Sequence, residues 1–152
     1  MKTNSKKKYF FAGAVAEVLI EKNNKILFIK RGHDPFKGFY GLPAGFVEKN
    51  ETVEEAAVRE AKEETGLKIK LKEILGIYSD PRRDPRGRVV STIFISEIIG
   101  GKLKAGSDAS SAVWVDVKKI PFKKLSFDYR KSIRDYLKWR KYKGTYWSKK
   151  NV

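Results

Sequence analysis

The chain of 152 residues carries 34 Lys and Arg against 18 Asp and Glu, a formal net charge of +16, with 41% hydrophobic and 12% aromatic residues. That is enough apolar material for one globular domain over 1–152, flanked by a basic arm at 1–8 and a basic tail at 141–152, and it argues against disorder. With no cysteine and His33 as the one histidine, thiol nucleophiles, Cys-ligated zinc, iron–sulfur clusters and disulfide scaffolds are excluded, so any chemistry falls to carboxylates, Lys and Arg.

Lys2, Lys6, Lys7 and Lys8 precede an apolar run containing Ala14-Val15-Ala16, a pattern that mimics a secretion signal. Glu17 interrupts the run, and Lys22-Asn23-Asn24-Lys25 separates it from Ile26-Leu27-Phe28-Ile29. The better reading is two strands, Phe10–Ile20 and Ile26–Lys30, in a cytoplasmic protein. No stretch reaches the ~20 apolar residues of a membrane span, so no membrane partner is expected. Gly38 to Glu48 is a strand and turn punctuated by Gly and Pro, and it delivers the chain to a helix. Thr52 and Glu55 form a Thr-x-x-Glu capping box at the start of that helix, and Gly66 ends it.

Strands follow at Leu67–Leu71, Ile74–Tyr78, Val89–Ile99 and Ala112–Val117, with a hairpin-length turn at Gly100-Gly101. A second helix runs from about Phe127 to Arg140, where Ile133, Tyr136, Leu137 and Arg140 recur at helical spacing. Trp114, in an alternating strand, reads as core. The tail from Lys138 to Lys150 mixes bases and aromatics in the way of nucleic-acid surfaces, but it reads first as a solvated helix end. The order implies an α/β fold of the α+β type, a mixed β-sheet sandwiched between helices.

Charge is unevenly distributed along this order. Gly45 to Leu67 holds seven acids and three bases, whereas Lys118 to Val152 holds thirteen bases and two acids. An acidic island in a basic chain suggests a metal site inside a field that attracts anions. On the first helix Glu60, Glu63 and Glu64 share one arc, with Arg59 four residues before Glu63. Clustered carboxylates oppose one another's ionisation unless a cation compensates.

Gly45, Glu51, Arg59, Glu60, Glu63, Glu64, Gly66 and Leu67 fall at the spacing Gly, five residues, Glu, seven residues, Arg-Glu-x-x-Glu-Glu-x-Gly-aliphatic. This resembles the Nudix box of the Nudix hydrolases at every fixed position, and the likeness extends from near Val15 to near Trp139. Two positions depart from the common pattern: Ala44 stands where the family often has Gly, and Asn50 precedes Glu51. The resemblance implies a loop-helix-loop platform for Mg²⁺, with Mn²⁺ as a substitute. On it Glu60, Glu64 and the Ala44 carbonyl are ligands, Glu63 is ligand or base, Arg59 orients a carboxylate, and Glu51 is catalytic or fixes the helix entry. Glu97 and Asp108 stand where relatives supply a further ligand or base.

Between Ser79 and Arg88 lie Arg82, Arg83, Asp84, Arg86 and Arg88 together with Pro81 and Pro85. Arginine forks suit phosphate and stack on bases. This run, with Gly106-Ser107-Asp108-Ala109 and Phe127-Asp128-Tyr129, resembles the ADP-ribose pyrophosphatase branch of the family. Arg82, Arg83, Asp84, Arg86, Arg88 and Asp108 are therefore the candidate substrate-binding residues. The implied reaction is metal-dependent cleavage of a nucleoside diphosphate linked to another moiety, foremost ADP-ribose to AMP and ribose 5-phosphate. The alternatives are dinucleoside polyphosphates, oxidised nucleoside triphosphates or RNA 5′ ends, and a non-catalytic sensor of ADP-ribose. A homodimer is a further possibility that the resemblance raises.

Overall fold

The computed structural model describes residues 10–104, 110–150 and 152. Its strands are β1 (Gly13–Lys22), β2 (Lys25–Arg31), β3 (Tyr40–Gly41), β4 (Ala44–Phe46), β5 (Leu67–Tyr78), β6 (Val89–Gly101), β7 (Ser110–Asp116) and β8 (Tyr146–Trp147). Helix α1 (Val53–Thr65) lies between β4 and β5, and α2 (Tyr129–Tyr142) between β7 and β8. The sheet runs β3-β2-β1-β6-β5-β8, with β4 joined to β1 and β7 to β2. The β1–β6 and β5–β8 pairs are parallel and the others antiparallel, so the sheet is mixed.

Alternation along the strands divides the core in two. Leu19, Ile26, Phe28, Ile93 and Ile95 face α2, where Tyr129, Ile133 and Tyr136 are buried with them. Val18, Ile20, Leu27 and Phe94 point the other way and meet Ala56, Ala57 and Ala61 of α1. The expected sandwich is therefore present. α1 is mostly polar and offers the small residues Ala56, Ala57 and Ala61 to the sheet, which brings its backbone close to β1, β4 and β5.

The helix ends follow the local chemistry. Thr52 accepts from the Glu55 N–H at 3.1 Å while Glu55 accepts from the Thr52 N–H at 2.8 Å. Gly66 closes the helix at φ 78°, a left-handed conformation that glycine adopts without side-chain strain. Two sequence expectations change. Leu67–Leu71 and Ile74–Tyr78 are one strand, whose register shifts between Leu71 and Glu73 and between Ile74 and Gly76 break the alternation that a period-two reading needs. The tail is more than a helix end: β8 adds to β5, and the Ser148 hydroxyl accepts from the Ser79 and Asp80 amides at 2.7 and 3.2 Å. None of the described helices is long and apolar enough to cross a membrane.

Candidate active site

β4 hangs on β1 with Glu17 opposite Ala44 and Ala16 opposite Gly45, and this pairing presents the entrance of α1 to the sheet. Arg59 is the hub of the acidic face. Its Nε and Nη2 donate to the two oxygens of Glu51 at 3.0 and 2.5 Å, and its Nη1 donates to Glu60 at 2.6 Å and Glu63 at 3.3 Å. Nη2 also reaches the Phe46 carbonyl at 3.1 Å, so one guanidinium ties α1 to β4. The hydrogen bonds from Arg59 hold the Glu51 carboxyl below its ordinary range, and those to Glu51 and Glu60 push the guanidinium up.

Glu64 lies behind this hub and accepts from the Ala44 N–H at 3.3 Å. Burial, reinforced by the neighbouring Glu60 charge and opposed by the Ala44 amide and Arg31, pushes its carboxyl up to about 8. A Cβ at Gly45 would collide with the Glu60 carboxylate, so any larger residue there would force that side chain aside. Among the described residues no three carboxylates already converge on one point, because Arg59 draws Glu51, Glu60 and Glu63 to itself. A half-buried pair of adjacent carboxylates with oxygen-only donors nonetheless suits a hard cation, which would offset the part of the Glu64 rise that comes from the Glu60 charge.

Ala44, Gly45 and Glu64 border a cavity of about 380 Å³ whose lining also includes Glu17, Arg31 and Phe127. Phe127, at φ 49°, carries the Arg31 guanidinium 4.9 Å and the Arg86 guanidinium 5.7 Å from its ring centroid. Arg31 Nη2 is buried without a hydrogen-bond partner among the described residues, while its Nε donates to the Pro35 carbonyl at 2.7 Å. Arg86 is held in a fork by the buried Asp84, with Nε and Nη2 at 3.1 and 2.9 Å. The floor is a second arginine-centred network. Arg83 Nη2 donates to Glu17 at 3.1 Å and to Asp128 at 2.9 Å, and Nε donates to Asp128 at 3.0 Å. Burial pushes the Glu17 carboxyl up, against the pull of Arg83 and Ser91. It pushes the fully buried Tyr129 hydroxyl up further, with the adjacent Glu17 charge adding to the rise.

The structure thus gathers Ala44, Glu51, Arg59, Glu60, Glu63 and Glu64 on one platform, and Arg83, Asp84 and Arg86 in the adjoining cavity. Three other sequence candidates lie elsewhere. Glu97 does not reach the platform: it faces the α2 side, 3.4 Å from Lys72, because its position in β6 continues the Ile93 and Ile95 face. Arg82 points outward to Asp80 at 3.4 Å, and Arg88 is exposed outside the cavity lining. Asp108 lies outside the described residues. Sequence reasoning missed Arg31 and Glu17, although a charged residue closing or interrupting an apolar strand was the available signal in both.

A family model described as the NUDIX domain matches residues 11–136. The chain is 55% identical over 132 residues to an ADP-ribose pyrophosphatase of Methanocaldococcus jannaschii, covering 87% of this chain and 77% of that protein. Among solved structures, a NUDIX hydrolase from Nitrosomonas europaea aligns with a TM-score of 0.80 at 24% identity over 93% of this chain and 80% of that one. An ADP-ribose pyrophosphatase from Streptococcus suis aligns with a TM-score of 0.72 at 19% identity over 91% and 98%. Both structural likenesses are of fold.

Proposed function

The chain belongs to the Nudix family of hydrolases, and from that premise we propose that its substrate is ADP-ribose or a close ADP-linked relative. Water adds to one phosphorus, the bridging P–O bond breaks, and ADP-ribose yields AMP and ribose 5-phosphate. The observation that carries this reading is the half-buried Glu60 and Glu64 pair, with Glu64 lining a cavity that also presents two guanidinium groups and an aromatic ring. Similarity to the Methanocaldococcus jannaschii pyrophosphatase supports the same substrate class.

Glu60, Glu64 and the Ala44 carbonyl are the residues that would hold Mg²⁺ or Mn²⁺, with Glu63 at their exposed edge. A divalent ion there supplies charge neutralisation on the diphosphate and acidifies a water. The remaining work belongs to the chain. Arg59 orients Glu51 and Glu60 through the hydrogen bonds above. Arg31 and Arg86 offer N–H donors to the substrate's phosphate oxygens, Arg86 in an orientation fixed by Asp84. Glu63, more than half exposed, is placed to accept the proton that leaves the attacking water. Incubation of the purified protein with ADP-ribose, with and without Mg²⁺, and resolution of the products tests the reading. Metal-dependent release of AMP is expected, and intact ADP-ribose beside cleavage of another phosphoanhydride would contradict the substrate assignment.

A further inference from the structure

The cavity floor holds a hydrogen-bond acceptor that the protein leaves unused. Glu17 is 2% exposed. Its Oε1 accepts from Arg83 at 3.1 Å and from the Ser91 hydroxyl, while Oε2 is buried and receives no hydrogen bond among the described residues. The Tyr129 hydroxyl neighbours this carboxyl group and interacts with it, yet the geometry among the described residues gives Oε2 no hydrogen-bond partner. An unsatisfied buried acceptor is costly, and more so for a charged group. Neutralising Arg83 does not account for Glu17, because Asp128 already holds that guanidinium through two nitrogens.

The register shows what surrounds the unused oxygen. Val15 lies two residues from Glu17 on the same face of β1, and Val89 and Ser91 follow on the same face of the parallel neighbour β6. Phe46 is opposite Val15 on β4. Val15, Phe46 and Val89 all line the cavity and form an apolar wall suited to the flat face of a nucleobase. Glu17 is also opposite Ala44, whose amide meets Glu64, so the acceptor sits one strand from the carboxylate platform.

We propose that Glu17 is a specificity-determining residue whose Oε2 accepts a hydrogen bond from an N–H or O–H donor on the nucleoside part of the substrate, with Arg83 and Ser91 fixing the carboxylate. This rests on the hydrolase reading and deepens it: the enzyme selects nucleosides that present a donor to Glu17 over those that present a carbonyl. The exocyclic amine of adenine and the ribose 2′-hydroxyl are the two sources of such a donor.

The test compares kcat/KM for ADP-ribose, its hypoxanthine analogue and its 2′-deoxyadenosine analogue in the wild type, Glu17→Gln and Glu17→Asp. The wild type should cut one analogue about 10- to 100-fold less efficiently than ADP-ribose, the range for a lost hydrogen bond to a charged group. Both variants should bring that ratio to within about threefold of unity, and the analogue that is penalised names the donor. Each ratio is taken within one enzyme preparation, so partial unfolding of a variant does not imitate the effect. Glu17→Asp, which retracts the acceptor by one methylene, serves if the amide variant is inactive. Ratios unchanged by both variants while ADP-ribose is cleaved would overturn the inference and leave the hydrolase reading intact. Failure of the wild type to cleave any of the three would overturn both.

Discussion

Arg59 and Arg83 are each ringed by carboxylates, yet the two networks differ in depth and reach. Arg59 is 23% exposed and gathers Glu51, Glu60 and Glu63 from within eight residues of itself. Arg83 is 3% exposed and joins Glu17 and Asp128, 66 and 45 residues away in the chain. The first is a wet, local cluster with excess negative charge, able to exchange a guanidinium contact for a cation. The second centres on a buried guanidinium that fastens the loop after β5 to β1 and to the start of α2. On the proposed reading, chemistry belongs to the first network and pocket shape to the second.

Substitutions should separate the two. Glu60→Gln with Glu64→Gln should lower kcat/KM by about a thousandfold or more with no loss of thermal stability, since the buried Glu64 becomes a neutral isostere. Steady-state kinetics beside calorimetry checks both halves of that outcome. Arg83→Met leaves Glu17 and Asp128 without their shared cation, which costs about 3–5 kcal/mol, a fall in Tm of about 10 °C for a chain of this size. Arg59→Met should shift Tm by no more than about 3 °C, and equal losses in the two variants would erase the distinction. Gly45→Ala forces the Glu60 carboxylate aside and should weaken Mg²⁺ binding about tenfold, the effect of displacing one ligand by a fraction of an ångström.

A further effect is a pH slope. The Glu64 carboxyl rises from the ordinary 4.5 to about 8 in the folded protein, so between those values the folded chain holds a proton that the unfolded chain has released. Stability of the metal-free protein should therefore fall as pH rises through this window, and saturating Mg²⁺ or Glu64→Gln should reduce the slope to the part that the raised Glu17 carboxyl contributes. A Tm series from pH 5 to 8 reads it. A slope that survives undiminished in Glu64→Gln would assign it to another group.

What the sequence disclosed follows the same division. The capping box at Thr52 and Glu55, the Gly66 terminus and the acidic arc on α1 depend on residues a few positions apart, where helix geometry alone decides who meets whom. The apolar runs of β1, β2 and β6 were legible as strands for a similar reason. The Arg83 network was not, because pairing Arg83 with Glu17 requires knowing that β1 and β6 run side by side. Glu17 read only as a break in an apolar run, and Arg31 fell just past the expected strand end at Lys30. Glu97 looked eligible by its position in the chain, but the face of β6 on which it falls sends it to α2. β8 went unread because two residues carry no periodicity, and what holds it is β5 together with the Ser148 hydroxyl.

The most direct test of the account is a calorimetric titration of Mg²⁺ into the purified protein without substrate, in the wild type and in the Glu60→Gln, Glu64→Gln variant. The account predicts a saturable site in the wild type that disappears in the variant while the variant's melting temperature holds. Binding that persists undiminished in the variant would place the cation elsewhere and contradict the division of labour between the two arginine networks.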